Sequence, residues 1–541
     1  MQHYWRAHLY HTSFLLAQPV YLAVRYFLGY EPFSSTRTTN LTIHSLVWLF
    51  IVNWISIPFF TSPLLRVPSP RGEKLLTGHF KWSSKPPTKI FENFINDSPN
   101  DGLLVIWGPL YLLNEVIPTR PDTLMEMMNS RNYDWEKPPM TRKFISSILG
   151  EGLTNVEGAK HKAMRRVLAP AFSGRQVRDL APLFLTKGSA LTDTMARLLT
   201  ETDDGVLEVT RLTSRISLDI IGAAGVGMDF NTIEHEDSVL AKLYHEVMHP
   251  PAHFLAIDTL FPRFLTRPLM GRGFARIFEA QSELRAKVRG LLQEKMTQEN
   301  IGASAQPRKD IMAGIMRSGD FSDDYLMGQL LTILAAGHDT GASALSWALL
   351  VLSQHPQIQD RLRAECEAQL AHIPSEEVTA SLFDAETTPF LTAVCEETLR
   401  LFCPVPVTPR QAAVTTTLGG VTIPKGTQAT ISPWAINHSH ALWGPDAHIF
   451  NPARWLADSS PRAPADGGAT SPHAFNTFLH GPRSCIGQSF ARLELKCLLA
   501  ALVLRFSMEV AEPDQEVEIG GFITIKPADG LKLRLRDLKA E

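Results

Sequence analysis

The densest chemistry in the chain lies in Phe478-Leu-His-Gly481-Pro-Arg483-Ser-Cys485-Ile-Gly487, a stretch of little regular periodicity that leads directly into an apolar helix over 488–506. A cysteine facing a helix N-terminus has its thiolate stabilised by the dipole and by free backbone N–H groups. The glycines permit the bends that aim the sulfur and the close approach of backbone to a flat ligand. Arg483, two residues before Cys485, can pair with an anionic group on that ligand. A bare Cys-x-Gly is usually an inert thiol, so the weight rests on the whole stretch. A second concentration is Ala336-Gly337-His338-Asp339-Thr340, a polar island inside an otherwise apolar helix. Burying an acid and a hydroxyl there unpaired would be costly, so each needs a reason. The bland one is that Thr340 bonds back to its own helix while Asp339 pairs elsewhere. A third feature is Glu397 and Arg400, at i and i+3 on one face of a helix over Pro389 to Phe402. As a solvated surface pair they would contribute under about 1 kcal/mol.

The first stretch matches Phe-x-x-Gly-x-Arg-x-Cys-x-Gly at every fixed position, and so resembles the haem-thiolate signature of the cytochrome P450 family. That resemblance implies haem b with Cys485 as proximal iron ligand and Arg483 as a propionate partner. It makes Phe478, Gly481 and Gly487 further cofactor-binding positions. An anionic thiolate pushes electron density onto iron and favours O–O cleavage. The polar island is similar to the family's Ala/Gly-Gly-x-Asp/Glu-Thr element, where the helix opens locally beside the haem, a distortion Gly337 would allow. By this likeness Thr340 hydrogen-bonds dioxygen or its water, and Asp339 relays protons. Glu397 and Arg400 match the family's Glu-x-x-Arg, with Arg454 of Phe450-Asn-Pro-Ala-Arg454-Trp455 completing a buried structural network. Arg410 resembles another propionate partner. The helix over Gly158 to Leu168 is similar to the family's Trp-x-x-x-Arg helix, with Arg165 in place and His161 standing where Trp is usual. Its basic face also suits an acidic electron donor. Val405, Val407, Leu334, Ala336 and Phe522 are the expected pocket residues, all apolar, so a lipophilic substrate is expected.

The resemblance implies a monooxygenase that places one atom of O2 in an organic substrate, by hydroxylation or epoxidation, and releases the other as water. NADPH is the implied reductant, through a separate flavoprotein reductase, since no nucleotide-binding glycine fingerprint follows Gly487. A haem-thiolate isomerase or dehydratase working without reductase is the alternative within the fold. Such an enzyme has little need of Asp339 and Thr340. A non-enzymatic haem sensor or carrier is a third reading, separable by NADPH consumption. The pattern looks most like fungal members of the family, many of which serve specialised metabolism.

These residues need long helices to position them. Ser322 to Gln354 reads as one buried helix, capped by Ser322, started by Asp323 and Asp324 and ended at His355-Pro356. At 1.5 Å per residue it is about 48 Å long. Strands are short and late: a hairpin over 412–432 turning at Gly419-Gly420, and a strand pair over 517–535 in which Leu531, Leu533 and Leu535 alternate with Lys532 and Arg534. Segments 299–309 and 457–473 read as surface loops. The expected fold is mainly α with small β-sheets, the haem lying between the long central helix and the cysteine loop and its helix.

The 541 residues carry 52 Lys plus Arg against 55 Asp plus Glu, a net charge of −3 that argues against nucleic-acid binding. Five cysteines, none in the first 365 residues, exclude a disulfide framework. Residues 1–64 read as a membrane-anchor region with its span at Leu41 to Ile57, which carries no charge and holds Trp48 and Trp54. Phe14 to Tyr30, interrupted by Pro19 and Arg25, is interfacial or a poor second span. Arg66, Arg71 and Lys74 favour a cytosolic placement for the catalytic domain at 65–541, implying the endoplasmic reticulum membrane. A helix buried in a soluble core is the competing reading of 41–57.

Overall fold

The computed structural model describes residues 62–540 apart from 73–76, 80–85, 87, 109–113, 236–237, 249–270, 301–309, 320, 371, 374–378, 458–465, 513–516 and 522, together with Ile43 and Val47. Phe14 to Tyr30, nearly all of 41–57 and Phe522 therefore lie outside the described residues. Among the described residues, no helix is long and apolar enough to cross a membrane.

The central helix spans Asp323–Gln354, and the Ser322 hydroxyl accepts from the Tyr325 amide at 3.3 Å. Pro356 opens the next helix, Pro356–Leu370. The central helix is buried along most of its length, which explains its nearly all-round apolar sequence. It packs chiefly against the helix Val209–Ile221 and, on another side, against Gln488–Arg505, the helix that follows Cys485. These helices share one large core that includes Ile216, Leu330, Leu345 and Leu498. A second core, with Leu104, Ile117, Trp135 and Trp443, lies against a five-stranded sheet.

That sheet runs in the order Leu103–Ile106, Glu115–Pro118, Gln428–Ile431, Thr408–Ala412, Trp135–Glu136. Its edge pairing sets Trp135 opposite Ala412 and Glu136 opposite Gln411. Two segments far apart in sequence, one leading to Lys137 and one carrying Arg410, thereby meet. The hairpin Thr416–Leu418 with Val421–Ile423 turns at Gly419 and Gly420, whose φ values of 55° and 75° suit the twist of a two-residue turn.

Two expectations need correction. Leu531, Leu533 and Leu535 are buried and Lys532 and Arg534 exposed, but the strand Lys532–Asp537 pairs with Phe506–Val510 and Val206–Glu208. The 517–527 region instead forms its own small ladder, Ile519–Gly520 with Lys526–Pro527. Strand alternation reports the face, not the partner. Part of the expected loop at 457–473 is packed: Asp466 and Ala469 are buried, and Gly467 lies so close to Trp443 and Trp455 that a Cβ would clash.

Candidate active site

The cysteine loop is held by its own backbone. The Cys485 amide donates to Phe478 O at 2.8 Å and the Ser484 amide to Gly481 O at 3.0 Å. Leu479 and Gly481 adopt φ of 56° and 70°. At Gly481 a Cβ would lie 2.1 Å from Met128 O, so only glycine fits. Gly487, at φ −90°, is different: a Cβ there would meet only Phe172 at 3.9 Å, so the protein's own packing does not demand glycine. Phe478 stacks on the Arg492 guanidinium at 4.5 Å, and Arg492 pairs with Glu396. Cys485 is exposed, while protein atoms crowd its sulfur. Burial raises its pKa, opposed by the Gly487 amide and by Arg165 and Arg492.

Beside the loop lies a cluster of cations. Arg165 donates from Nη1 to Ser484 O at 2.6 Å and from Nη2 to Ser484 Oγ at 3.2 Å, bracing the residue before the cysteine. Arg410 is buried and donates to Thr408 Oγ1 and Pro409 O. Burial and then Arg483 pull its pKa down to about 10. Arg483 Nη2 lies 2.5 Å from Glu157 Oε2, and its guanidinium sits 5.2 Å from the Tyr133 ring centre. His161 is buried, with Nδ1 3.3 Å from Tyr133 Oη. Burial, reinforced by Arg483, Lys137, Arg165 and Arg410, lowers its pKa to about 3, so the ring is neutral and can still donate one hydrogen bond.

Sequence reasoning missed Lys137, Glu157 and Tyr133. Lys137 is drawn in by the edge-strand pairing, and burial followed by Arg410 lowers its pKa to about 7. Its amide donates to Glu157 Oε1 at 2.9 Å. No local pattern in Trp135-Glu-Lys137-Pro-Pro flags this role. Arg483, Lys137 and Arg410 thus gather around one carboxylate, Glu157, with Arg165 and the neutral His161 ring close by. Such an excess of buried positive charge is complementary to an anionic ligand.

On the central helix, Ala336 is exposed and Gly337, Thr340 and Gly341 are half-buried, while the residues on either side are buried. These positions, i, i+1, i+4 and i+5, form one open strip on an otherwise enclosed helix. Leu334 is not part of it: it is fully buried in the main core, a correction to its place among the pocket residues. The helix is continuous from Asp323 to Gln354, so the expected local opening is absent as a break in the helix. Gly337 has a different reason, since a Cβ there would lie 2.6 Å from Ile221 on the neighbouring helix. The Thr340 hydroxyl donates to Ala336 O at 2.7 Å. Asp339 is buried, and its Oδ2 accepts a short hydrogen bond from Thr524 Oγ1. Val405 and Val407 are half-buried on either side of buried Pro406.

A further acid lies beside this strip. Glu494 is buried, and its carboxylate oxygens would be 3.1 and 3.2 Å from a Cβ at Gly341. An acid nine residues after Cys485 in so apolar a helix was the signal that could have found it. Burial, opposed by the Ser217 hydroxyl, lifts its pKa to about 8 from an ordinary 4.5. An acid raised in the folded state loses stability as pH climbs from its unfolded value towards the folded one. Glu494→Gln, which mimics the neutral form, should match the wild type near pH 4.5. It should exceed it by roughly 2–4 kcal/mol at pH 8.5 in thermal or denaturant unfolding. A gap that does not widen with pH would assign the buried proton elsewhere.

Glu397 and Arg400 are fully buried. Arg400 Nε and Nη2 each donate to a Glu397 oxygen at 2.8 Å, and Arg454 Nε donates to Oε1 at 3.1 Å. Arg400 also binds the carbonyls of Asn437, Ala447 and Ile449.

An exposed cysteine at a helix N-terminus, a neighbouring glycine that the protein does not itself require, and a basic cluster able to meet two carboxylates form a donor set that fits an iron porphyrin. Comparison with known proteins agrees. The cytochrome P450 family model matches residues 76–533. The cytochrome P450 monooxygenase sphH of Aspergillus fumigatus is 39% identical over 514 residues, covering 91% of each chain. The monooxygenase ptmK of Penicillium ochrochloron is 34% identical, covering 91% of this chain and 97% of its own. The crystal structure of the cytochrome P450DA haem domain superimposes with a TM-score of 0.70 at 22% identity, over 87% of this chain and 97% of that one. The chain belongs to the cytochrome P450 family and is a haem-dependent monooxygenase, akin to those of fungi.

Proposed function

We propose that Cys485 would supply the thiolate ligand to the iron of haem b and that the chain oxygenates a lipophilic small molecule in a fungal specialised-metabolite pathway. The observation that carries this is the exposed Cys485, aimed by its own loop and flanked by Arg165. Bound haem supplies the redox chemistry by which one atom of O2 enters the substrate and the other leaves as water. Arg410, Arg483 and Lys137 would hold the propionates, Arg165 braces the loop, and His161 would donate as a neutral ring. Phe478 and Gly481 shape the loop, and Gly487 leaves room for the macrocycle. Thr340 on the open strip and buried Asp339 beside it hold and pass protons. Ala336, Val405 and Val407 supply apolar lining, which supports a lipophilic substrate; Phe522 is a further candidate.

A separate NADPH-dependent flavoprotein reductase delivers the electrons singly. The chain is anchored in the endoplasmic reticulum membrane by residues 1–64, with 65–541 in the cytosol. The uncharged 41–57 stretch supports this, as do Ile43 and Val47, helical and each 52% exposed.

The test is the reduced, carbon-monoxide-bound spectrum of purified holoprotein beside Cys485→Ala and Cys485→His. A strongly red-shifted Soret band in the wild type, lost in both variants, is expected. A histidine-type spectrum in undenatured wild-type protein, unchanged by either substitution, would remove Cys485 as ligand.

A further inference from the structure

Away from the haem-binding loop, the helix Thr88–Asp97 packs against the short helix Pro433–Asn437 and the turn that follows it. At this junction Glu92, His438 and His448 each bring one ligand atom to within 4.8 Å of the others. We propose that these three residues form a site for a divalent transition-metal ion of the zinc class, independent of the haem.

The arrangement around each ligand supports this. His438 is buried, and its Nδ1 lies 2.8 Å from Trp434 O. That bond places the proton on Nδ1 and leaves the Nε2 lone pair as the coordinating one, the outer-shell arrangement typical of metal-binding histidines. Burial holds the ring neutral, the form a metal requires. Glu92 is oriented in the same way: the Trp434 indole N–H donates to its Oε2 at 2.7 Å, leaving Oε1 towards His448 Nδ1 at 3.8 Å. One residue, Trp434, therefore fixes two of the ligands. Among the described residues Glu92 forms no ion pair with Lys or Arg; its neighbours are the His448 ring and the Trp434 indole.

Two imidazoles and one carboxylate are a ligand set used by zinc. Ligand atoms on a tetrahedral zinc lie about 3.3 Å apart, given bonds of about 2.0–2.1 Å. The 4.8 Å spread is wider, and His448, with 42% of its side chain exposed and its ring stacked on His438 at 5.4 Å, would have to turn inward to close the site. His440 is exposed and its ring centre lies 4.8 Å from that of His448, which offers a fourth ligand or a place for water. An occupied site would tie the Thr88–Asp97 helix to the segment carrying Ala447 and Ile449, whose carbonyls bind Arg400.

The experiment uses haem-loaded protein stripped of loose metal by chelator and titrated with Zn²⁺ against a chromophoric zinc indicator. One ion is expected to bind tightly, with zinc-edge X-ray absorption showing two or three imidazole nitrogens and a carboxylate. His448→Ala, which changes an exposed side chain, and Glu92→Gln should each weaken that ion at least about tenfold, with the carbon-monoxide spectrum unchanged. Weak binding spread over several exposed histidines, or binding that survives both substitutions, would overturn the proposal. A variant that fails to fold is identified by its spectrum, and the other variant then decides.

Discussion

Replacing Glu397 by Ala is expected to destabilise the protein by about 3–5 kcal/mol or more, a large share of the 5–15 kcal/mol that holds a typical domain together. The carboxylate accepts from Arg400 Nε and Nη2, Arg454 Nε, Trp455 Nε1 and the Asn451 amide, all within 3.1 Å. Removing it strands the Arg400 charge at a position with no solvent exposure. The same change frees the turn at Asn451, whose neighbours Ala447 and Ile449 are held by that guanidinium. Arg454→Met should cost less, because this residue is the outer member of the network and also pairs with Asp446, 39% exposed. Denaturant unfolding of the two variants, read with haem retention, checks the order. A loss below about 1 kcal/mol for Glu397→Ala would mean that the network is dispensable, since a solvated pair contributes no more than that.

The same network shows what could be read from sequence and what could not. Glu397 and Arg400 were legible because their spacing is local and fixed by helix geometry. Arg454, more than fifty residues on, was reached only through the family likeness. The central helix was legible end to end, from its Ser322 cap to His355-Pro356, because caps and prolines act on their own backbone. Lys137 was not, since its place beside Arg410 is made by the pairing of two strands separated by some 270 residues. The strand at 532–537 taught the same lesson, with its inward face correctly read and its partner not. Gly337 has a reason that no local pattern shows: the neighbouring Ile221 requires the absent Cβ. Leu334 and Ala336 are two residues apart, and only the packing decides that one is enclosed and the other open. Local rules therefore carried the elements, while long-range contacts decided the site.

Asp339 and Thr340 should separate in their effects when changed. Among the described residues Thr340 donates only to Ala336 O within its own helix, and it is half-buried, so Thr340→Ala should shift stability by less than about 1 kcal/mol. Its expected defect is in coupling: NADPH and O2 continue to be consumed, while the share of electrons recovered in product falls and hydrogen peroxide rises. Asp339 differs because it is buried, and its Oδ2 accepts from Thr524 in the small C-terminal ladder region. Asp339→Asn keeps the volume and an acceptor for Thr524 but removes the ability to carry a proton at that oxygen. Turnover should fall on the order of 10²-fold, with the solvent isotope effect enlarged. The readouts are the product-to-NADPH ratio, peroxide yield and the isotope effect, each measured with a substrate that the wild type converts. If Thr340→Ala leaves the ratio intact, its hydroxyl does no more than bond to its helix. If Asp339→Asn slows turnover without changing the isotope effect, the carboxylate serves to anchor the helix through Thr524, and the proton must come from another acid beside the open strip. Glu494, held neutral near pH 7 and adjacent to Gly341, is then the group to change next.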